Sequence, residues 1–112
     1  MEYKVVSNIK QFALLKKNWN MVFNSRPYSV FQSFTFNYYS WKYILDNSSK
    51  NKLYIVQILE DSFPIGFFPL YIDNKNKLRF INDIHADFCD IILSKDIDFS
   101  DLFKFILYDC KN

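Results

Sequence analysis

The densest group of chemistry-bearing side chains in this sequence is His85-Ala86-Asp87-Phe88-Cys89-Asp90. On an extended chain successive side chains alternate, so His85, Asp87 and Cys89 share one face and Asp90 takes the other. A metal centre needs three or four converging nitrogen, oxygen or sulfur donors. The plainer expectation is a strand entry whose Asp87 and Asp90 accept hydrogen bonds from nearby backbone N–H groups. A thiol nucleophile at Cys89 or Cys110 would need an activating base and a lowered pKa. The single histidine, His85, stands about 13 Å from Cys89 at the rise of a strand, so no catalytic residue and no metal site is assigned. Glu60 beside Asp61, and Asp98 near Asp101, have the spacing of turn and cap residues. Phe31, Phe34, Tyr38 and Trp41 could line a ligand wall, although aromatic residues at helical spacing usually make core.

The chain has 112 residues, which predicts one domain over 1–112. Half of the residues are hydrophobic and 21% are aromatic, which excludes a disordered chain. The 14 basic and 12 acidic residues leave a net charge of +2, with no clustered basic face for nucleic acid. Lys75, Lys77 and Arg79 fall in one short turn and read as a solvated hairpin. Two cysteines 21 apart suit a reducing compartment better than a disulfide framework. The longest apolar run, 63–72, is half of the ~20 residues that a membrane-spanning helix needs. The N-terminus has no signal-peptide pattern, so a cytoplasmic protein without a transmembrane segment is expected.

Several elements must position those residues. Residues 3–6 predict a strand. Ser7 or Asn8 caps a helix in which Phe12, Leu15, Trp19 and Val22 recur at spacings of 3, 4 and 3. Pro27 ends that region. Ser33 caps a second helix to about Leu45, with Phe34, Tyr38, Trp41 and Leu45 on one stripe and further aromatics around it. Residues 52–60 alternate, Leu53, Ile55 and Gln57 against Tyr54, Val56 and Ile58. Asp61-Ser62 turns the chain into a hairpin arm over 63–71, and 73–76 turns it again into a strand over 77–81. A buried strand over 87–93 follows, then a helix capped by Ser100 with Leu102, Phe103, Ile106 and Cys110 on one face. The order is β-α-α-β-β-β-β-α: an α/β (α+β) fold with a mainly antiparallel sheet of four or five strands and helices packed on it.

The strand over 63–71 carries the only glycine, Gly66, between Pro64 and Pro69. Glycine inside a strand marks a bulge or a close backbone approach, and proline removes a ladder donor. The strand is therefore expected to splay or to run along an edge near that point.

The ordered set Trp19, Phe31-Gln32-Ser33, Trp41, Ile65-Gly66-x-x-Pro69-Leu70, Leu78-Arg79-Phe80-Ile81 and Asp87-Phe88-Cys89-Asp90 resembles the N-terminal half of a known family. These are the GNAT-type acyltransferases of the cellulose-biosynthesis-associated class, relatives of the Fem-like peptidyltransferases. The resemblance implies a partial GNAT-like half within a longer architecture, with the acyl-donor site in the later half. It implies that Phe31, Gln32, Trp41, Asp87 and Asp90 border the cleft for the acceptor substrate. Acyl-CoA is the cofactor implied for the full-length architecture. The chain has no Gly-rich pyrophosphate loop, so no cofactor is assigned within it and it is expected to be inactive alone. The alternative is a non-enzymatic interaction module docking through the aromatic helix. Either a second copy or a missing C-terminal half is expected to cover that helix and the sheet edge near 87–93.

Overall fold

The computed structural model describes residues 1–45, 50–81, 83 and 90–111. The elements are β1 (Glu2–Val6), α1 (Ile9–Ala13), α2 (Lys16–Phe23), a 3-10 turn (Val30–Gln32), α3 (Phe34–Ser40) and a π-helical turn (Trp41–Leu45). They continue with β2 (Lys52–Glu60), β3 (Phe63–Ile72), β4 (Leu78–Phe80), β5 (Ile92–Leu93) and α4 (Phe99–Lys111). The fold is mixed α/β with an antiparallel sheet in the order β1-β2-β3-β4, and β5 also pairs with β3. Both the expected class and the expected strand count are realised. Among the described residues no helix is long and apolar enough to cross a membrane.

Alternation along β2 and β3 divides the core in two. Leu53, Ile55, Phe67 and Tyr71 join Phe12, Trp19, Phe34 and Trp41 beneath α1–α3. Tyr54, Val56, Ile58 and Leu70 join Leu102 and Ile106 beneath α4. The sheet is thus a middle layer with helices on each face, and its central strands are apolar on both sides.

The first expected helix is two. Asn8 caps α1 by accepting from the Gln11 N–H at 2.8 Å. Leu14 and Leu15 then donate to the carbonyls three residues back, at 3.2 and 3.0 Å. That tightened turn leaves Leu14 exposed and Leu15 buried, so the stripe Phe12, Leu15, Trp19 and Val22 still faces the core. Ser33 caps α3 as expected, its hydroxyl accepting from the Phe36 N–H at 3.1 Å. For α4 the cap is Asp98, not Ser100. The Asp98 carboxylate accepts from both the Ser100 N–H and the Ser100 hydroxyl, at 3.0 and 2.7 Å. The face of α4 also differs from the expectation: Leu102 and Ile106 are buried, whereas Phe103 and Cys110 are exposed.

β3 carries the bulge anticipated around Gly66 and a second irregularity, a change of partner. It does not run along an edge, since β2 flanks one side and β4 and β5 the other. The register slips between Ile58 and Leu59, so that Ile58 faces Gly66 while Leu59 faces Pro64. Ile65 is the extra residue, and this bulge moves it to the α4 face with Leu70 despite its odd parity. A Cβ on Gly66 would lie 2.6 Å from Leu93 Cδ2 and 2.9 Å from the Ile92 carbonyl oxygen. Its φ is not positive, so glycine is required here for space and not for backbone freedom.

Pro69 accounts for the second irregularity. β5 pairs with β3 at Gly66 and Phe67, and β4 pairs with the same edge of β3 at Leu70, Tyr71 and Ile72. Both are antiparallel to β3, so they are two stretches of one interrupted edge strand. Pro69 has no N–H to donate and stands where the partner changes; its carbonyl accepts from the Ile81 N–H at 2.9 Å.

Candidate functional site

A cleft of about 550 Å³ opens where β5 meets the α2–α3 connection and the start of α4. Its charged and polar lining includes Arg26, Tyr28, Ser29, Gln32, Asp90 and Asp96. Pro27 ends the helical region and leads the chain across the sheet edge, which brings Tyr28 to β5. The Tyr28 hydroxyl donates to the Leu93 carbonyl at 2.7 Å and accepts from the Leu93 N–H at 2.6 Å. One phenol thus satisfies both outward backbone groups of Leu93, in place of a neighbouring strand. The expectation of an open edge over 87–93 is corrected at Leu93 by this clamp.

Gln32 is fixed from several directions. Its side-chain oxygen accepts from the Ser29 N–H at 3.1 Å and the Ser29 hydroxyl at 2.6 Å, closing a capping box on the 3-10 turn. Its backbone carbonyl accepts from the buried Trp19 indole N–H at 3.0 Å. Next to it, the fully buried Asn37 amide donates to the carbonyls of Phe31 and Ser33, at 3.1 and 2.8 Å. The loop Phe31-Gln32-Ser33 is therefore held by groups from α2 and α3, and a substitution in either helix would move the cleft wall.

Across the cleft, the exposed Asp90 accepts from the Ile91 N–H at 2.8 Å, the local backbone bond anticipated for it. Arg26 pairs with Asp96 at 3.0 Å, and the Asp96 side chain is 95% exposed. With Arg26, Asp90 and Asp96 the cleft carries one cation and two carboxylates. At the start of α4 the Asp98 carboxyl is held below the usual carboxylate range by its hydrogen bonds from Ser100. This helix N-terminus therefore carries its own anion, with Asp96 and Asp101 close in sequence.

The structure thus brings Gln32 and Asp90 together in one cleft. Phe31 is adjacent in the chain but packs edge-on against Phe36, ring centres 5.1 Å apart. Trp41 lies elsewhere: it is buried beside Tyr71 and lines a separate hollow of about 400 Å³ with Asn8 and Lys52. Asp87, with His85 and Cys89, lies outside the described residues. Among the described residues no group of three His, Cys, Asp or Glu side chains is placed to hold a metal ion. Sequence reasoning missed Arg26, Tyr28, Asp96 and Phe99. The break at Pro27 signalled Arg26 and Tyr28 alone; Asp96 and Phe99 join them only in the folded chain, and residues that meet through tertiary contacts share no periodicity.

The aromatic helix is divided between core and surface. Phe34 and Trp41 are buried, while Tyr39 and Tyr43 are exposed and stack with centres 5.6 Å apart. Lys42 Nζ lies 5.3 Å from the centre of the Tyr43 ring.

Comparison with protein-family models, with curated proteins and with solved structures gave no match for this chain.

Proposed function

We propose that this chain forms the acceptor-side portion of a GNAT-like N-acyltransferase, shaping a cleft for the group to be acylated without carrying the transfer chemistry itself. The observation that supports this reading is the interrupted edge strand. β3 is relieved of a continuous partner at Pro69, and the cleft with Gln32 and Asp90 opens at the β5 end of that same edge. In GNAT-type transfer an amine or hydroxyl attacks a thioester carbonyl, and a cleft must hold that acceptor in place before attack. Asp90 gives this cleft a carboxylate that attracts an ammonium, since Arg26 and Asp96 are paired with each other. The α4 N-terminus, capped by Asp98, is an unfavourable place for a pyrophosphate, in keeping with a donor site outside this chain.

Thermal-shift screening with small primary amines, together with calorimetry on acetyl-CoA, tests the proposal. The expected result is stabilisation by an amine that Asp90→Asn removes, and no heat of binding with acetyl-CoA. Micromolar acetyl-CoA binding with thiol release would show a complete enzyme and overturn it. So would indifference to every amine.

A second reading is an interaction module that docks through α3 and the turn after it. The exposed Tyr39–Tyr43 stack beside Lys42 favours it. Light scattering separates the two, because a module of this kind that binds its own copy loses association in Tyr39→Ala/Tyr43→Ala. The acceptor cleft is unaffected by that change.

A further inference from the structure

Alongside α4 the sheet is only partly covered. Phe99, Phe103 and Leu107 follow one another at four-residue steps on the flank of the helix that faces β4, and all three are exposed. Between this flank and the sheet lie two hollows of about 510 and 460 Å³. They share Phe68, Phe80 and Phe103, so they are successive parts of one trough. Its floor is aromatic, with the Phe68 and Phe80 rings centred 5.5 Å apart. The trough runs past Leu70 and Leu78 to Leu107 at its far end. At its near end it meets the cleft, since Asp90, Ile91 and Phe99 line both.

This continuity selects the occupant. A polar cleft with Arg26, Asp90 and Asp96 leads directly into an apolar trough, and the wall from Phe99 to Leu107 extends about 12 Å along the helix axis. Each hollow has the size of a small-molecule pocket. Pairing with a second copy along β4 is disfavoured by Lys75 and Lys77, which place like charges beside that edge, whereas Arg79 is paired with Asp73 and Asp83.

We infer that the trough is a binding site for an unbranched alkyl chain, and that the ligand is a single-chain amphiphile whose polar head lies in the Arg26–Asp90 cleft and whose tail lies along Phe68, Phe80 and Phe103. The inference uses the position of the cleft but not the acyl-transfer reading. A failure to respond to amines would leave it standing.

Calorimetry with octyl-, decyl- and dodecylphosphocholine, each below its micellar concentration, is the test. Affinity is expected to rise by up to about fourfold per methylene until the trough is filled. Phe103→Glu should abolish that dependence, whereas Tyr39→Glu, beyond the opposite face, should leave it intact. If circular dichroism shows that Phe103→Glu is unfolded, Leu107→Glu, at a position 68% exposed, takes its place. Affinity independent of chain length would overturn the inference. A dimer that Phe103→Glu dissociates, with no chain-length dependence, would also overturn it and assign the trough to a second copy.

Discussion

The two faces of the sheet are closed in different ways. Under α1–α3 the closure is aromatic and continuous. Trp19 stacks on Phe67 with ring centres 4.9 Å apart, and Phe12 meets Trp19, Phe34 and Tyr38 within 5.8 Å. Under α4 only Leu102 and Ile106 of the helix are buried, and polar clasps hold its two ends. Tyr3 donates to Asp101 and Tyr54 donates to Asp109, both at 2.7 Å. Burial first, and then these carboxylates, raise the pKa of both phenols, so they remain donors at physiological pH. On the face closed by interlocking rings the hollow beside Trp41, Asn8 and Lys52 lies away from the Phe12, Trp19 and Phe67 rings. A face spanned by one clasped helix leaves a trough beside it, and the cleft opens at that side of the molecule.

The largest effect should come from breaking the sealed face. Trp19→Ala removes a fully buried ring and the donor to the Gln32 carbonyl. A loss of about 3–5 kcal/mol in urea unfolding is expected. A loss near that of a surface change would mean that the ring cluster is not the core.

Gly66→Val comes next. Its side chain would collide with Leu93 Cδ2 and with the Ile92 carbonyl, for a loss of about 1–3 kcal/mol. Much of that cost should appear as lost β3–β5 pairing, read as faster hydrogen exchange at the amides of Ile92 and Ser94. Unchanged protection there would show that β5 is held by Tyr28 alone.

These positions also show how much of the fold was legible. The alternation of Leu53 and Ile55 against Tyr54, Val56 and Ile58 placed both faces, since a period of two is a strong signal once a strand is central. The lone Gly66 between two prolines marked the bulge on β3, but not the change of partner from β5 to β4. The cleft was legible only at Gln32 and Asp90. Tyr28 and Phe99 reach it from separate segments, and their roles depend on tertiary contacts that local spacing does not encode. Trp41 had the helical spacing of both a ligand wall and a core residue, and the structure places it in the core. The face of α4 was misjudged for a related reason. Phe103 and Cys110 are adjacent to the Leu102–Ile106 stripe on a helical wheel, but the sheet beneath α4 covers only its other side.

Smaller still is the effect of loosening a clasp. Tyr54→Phe should cost about 1 kcal/mol, since it deletes one hydrogen bond and keeps the ring. Exchange should speed up at the C-terminal end of α4 but not in α2. Equal acceleration in both helices would erase the distinction between the faces.

The smallest effect is an acid response confined to the β3–β4 turn. Asp73 accepts from the backbone N–H groups of Lys77 and Lys75, at 2.9 and 2.8 Å, and Arg79 lies beside it. These contacts, led by the Lys77 backbone N–H, lower its pKa. A carboxylate whose folded pKa is depressed contributes stability above its unfolded value, near pH 3.9, and that contribution is lost as pH falls through the folded value. Protection of the Lys75 and Lys77 amides should therefore decline below about pH 4, and Asp73→Asn should remove the pH dependence. Persistence of the dependence in that variant would assign it to another group.

The contrast between the faces is tested most directly by an amide-resolved NMR titration with decylphosphocholine below its micellar concentration. The predicted shifts fall on Phe68, Phe80, Phe103 and Leu107 and extend to Tyr28, Gln32 and Asp90, while Phe12, Trp19 and Trp41 stay unchanged. Shifts centred on Tyr39 and Tyr43, or spread evenly over both faces, would contradict the assignment of the ligand-accepting side to α4 and β5.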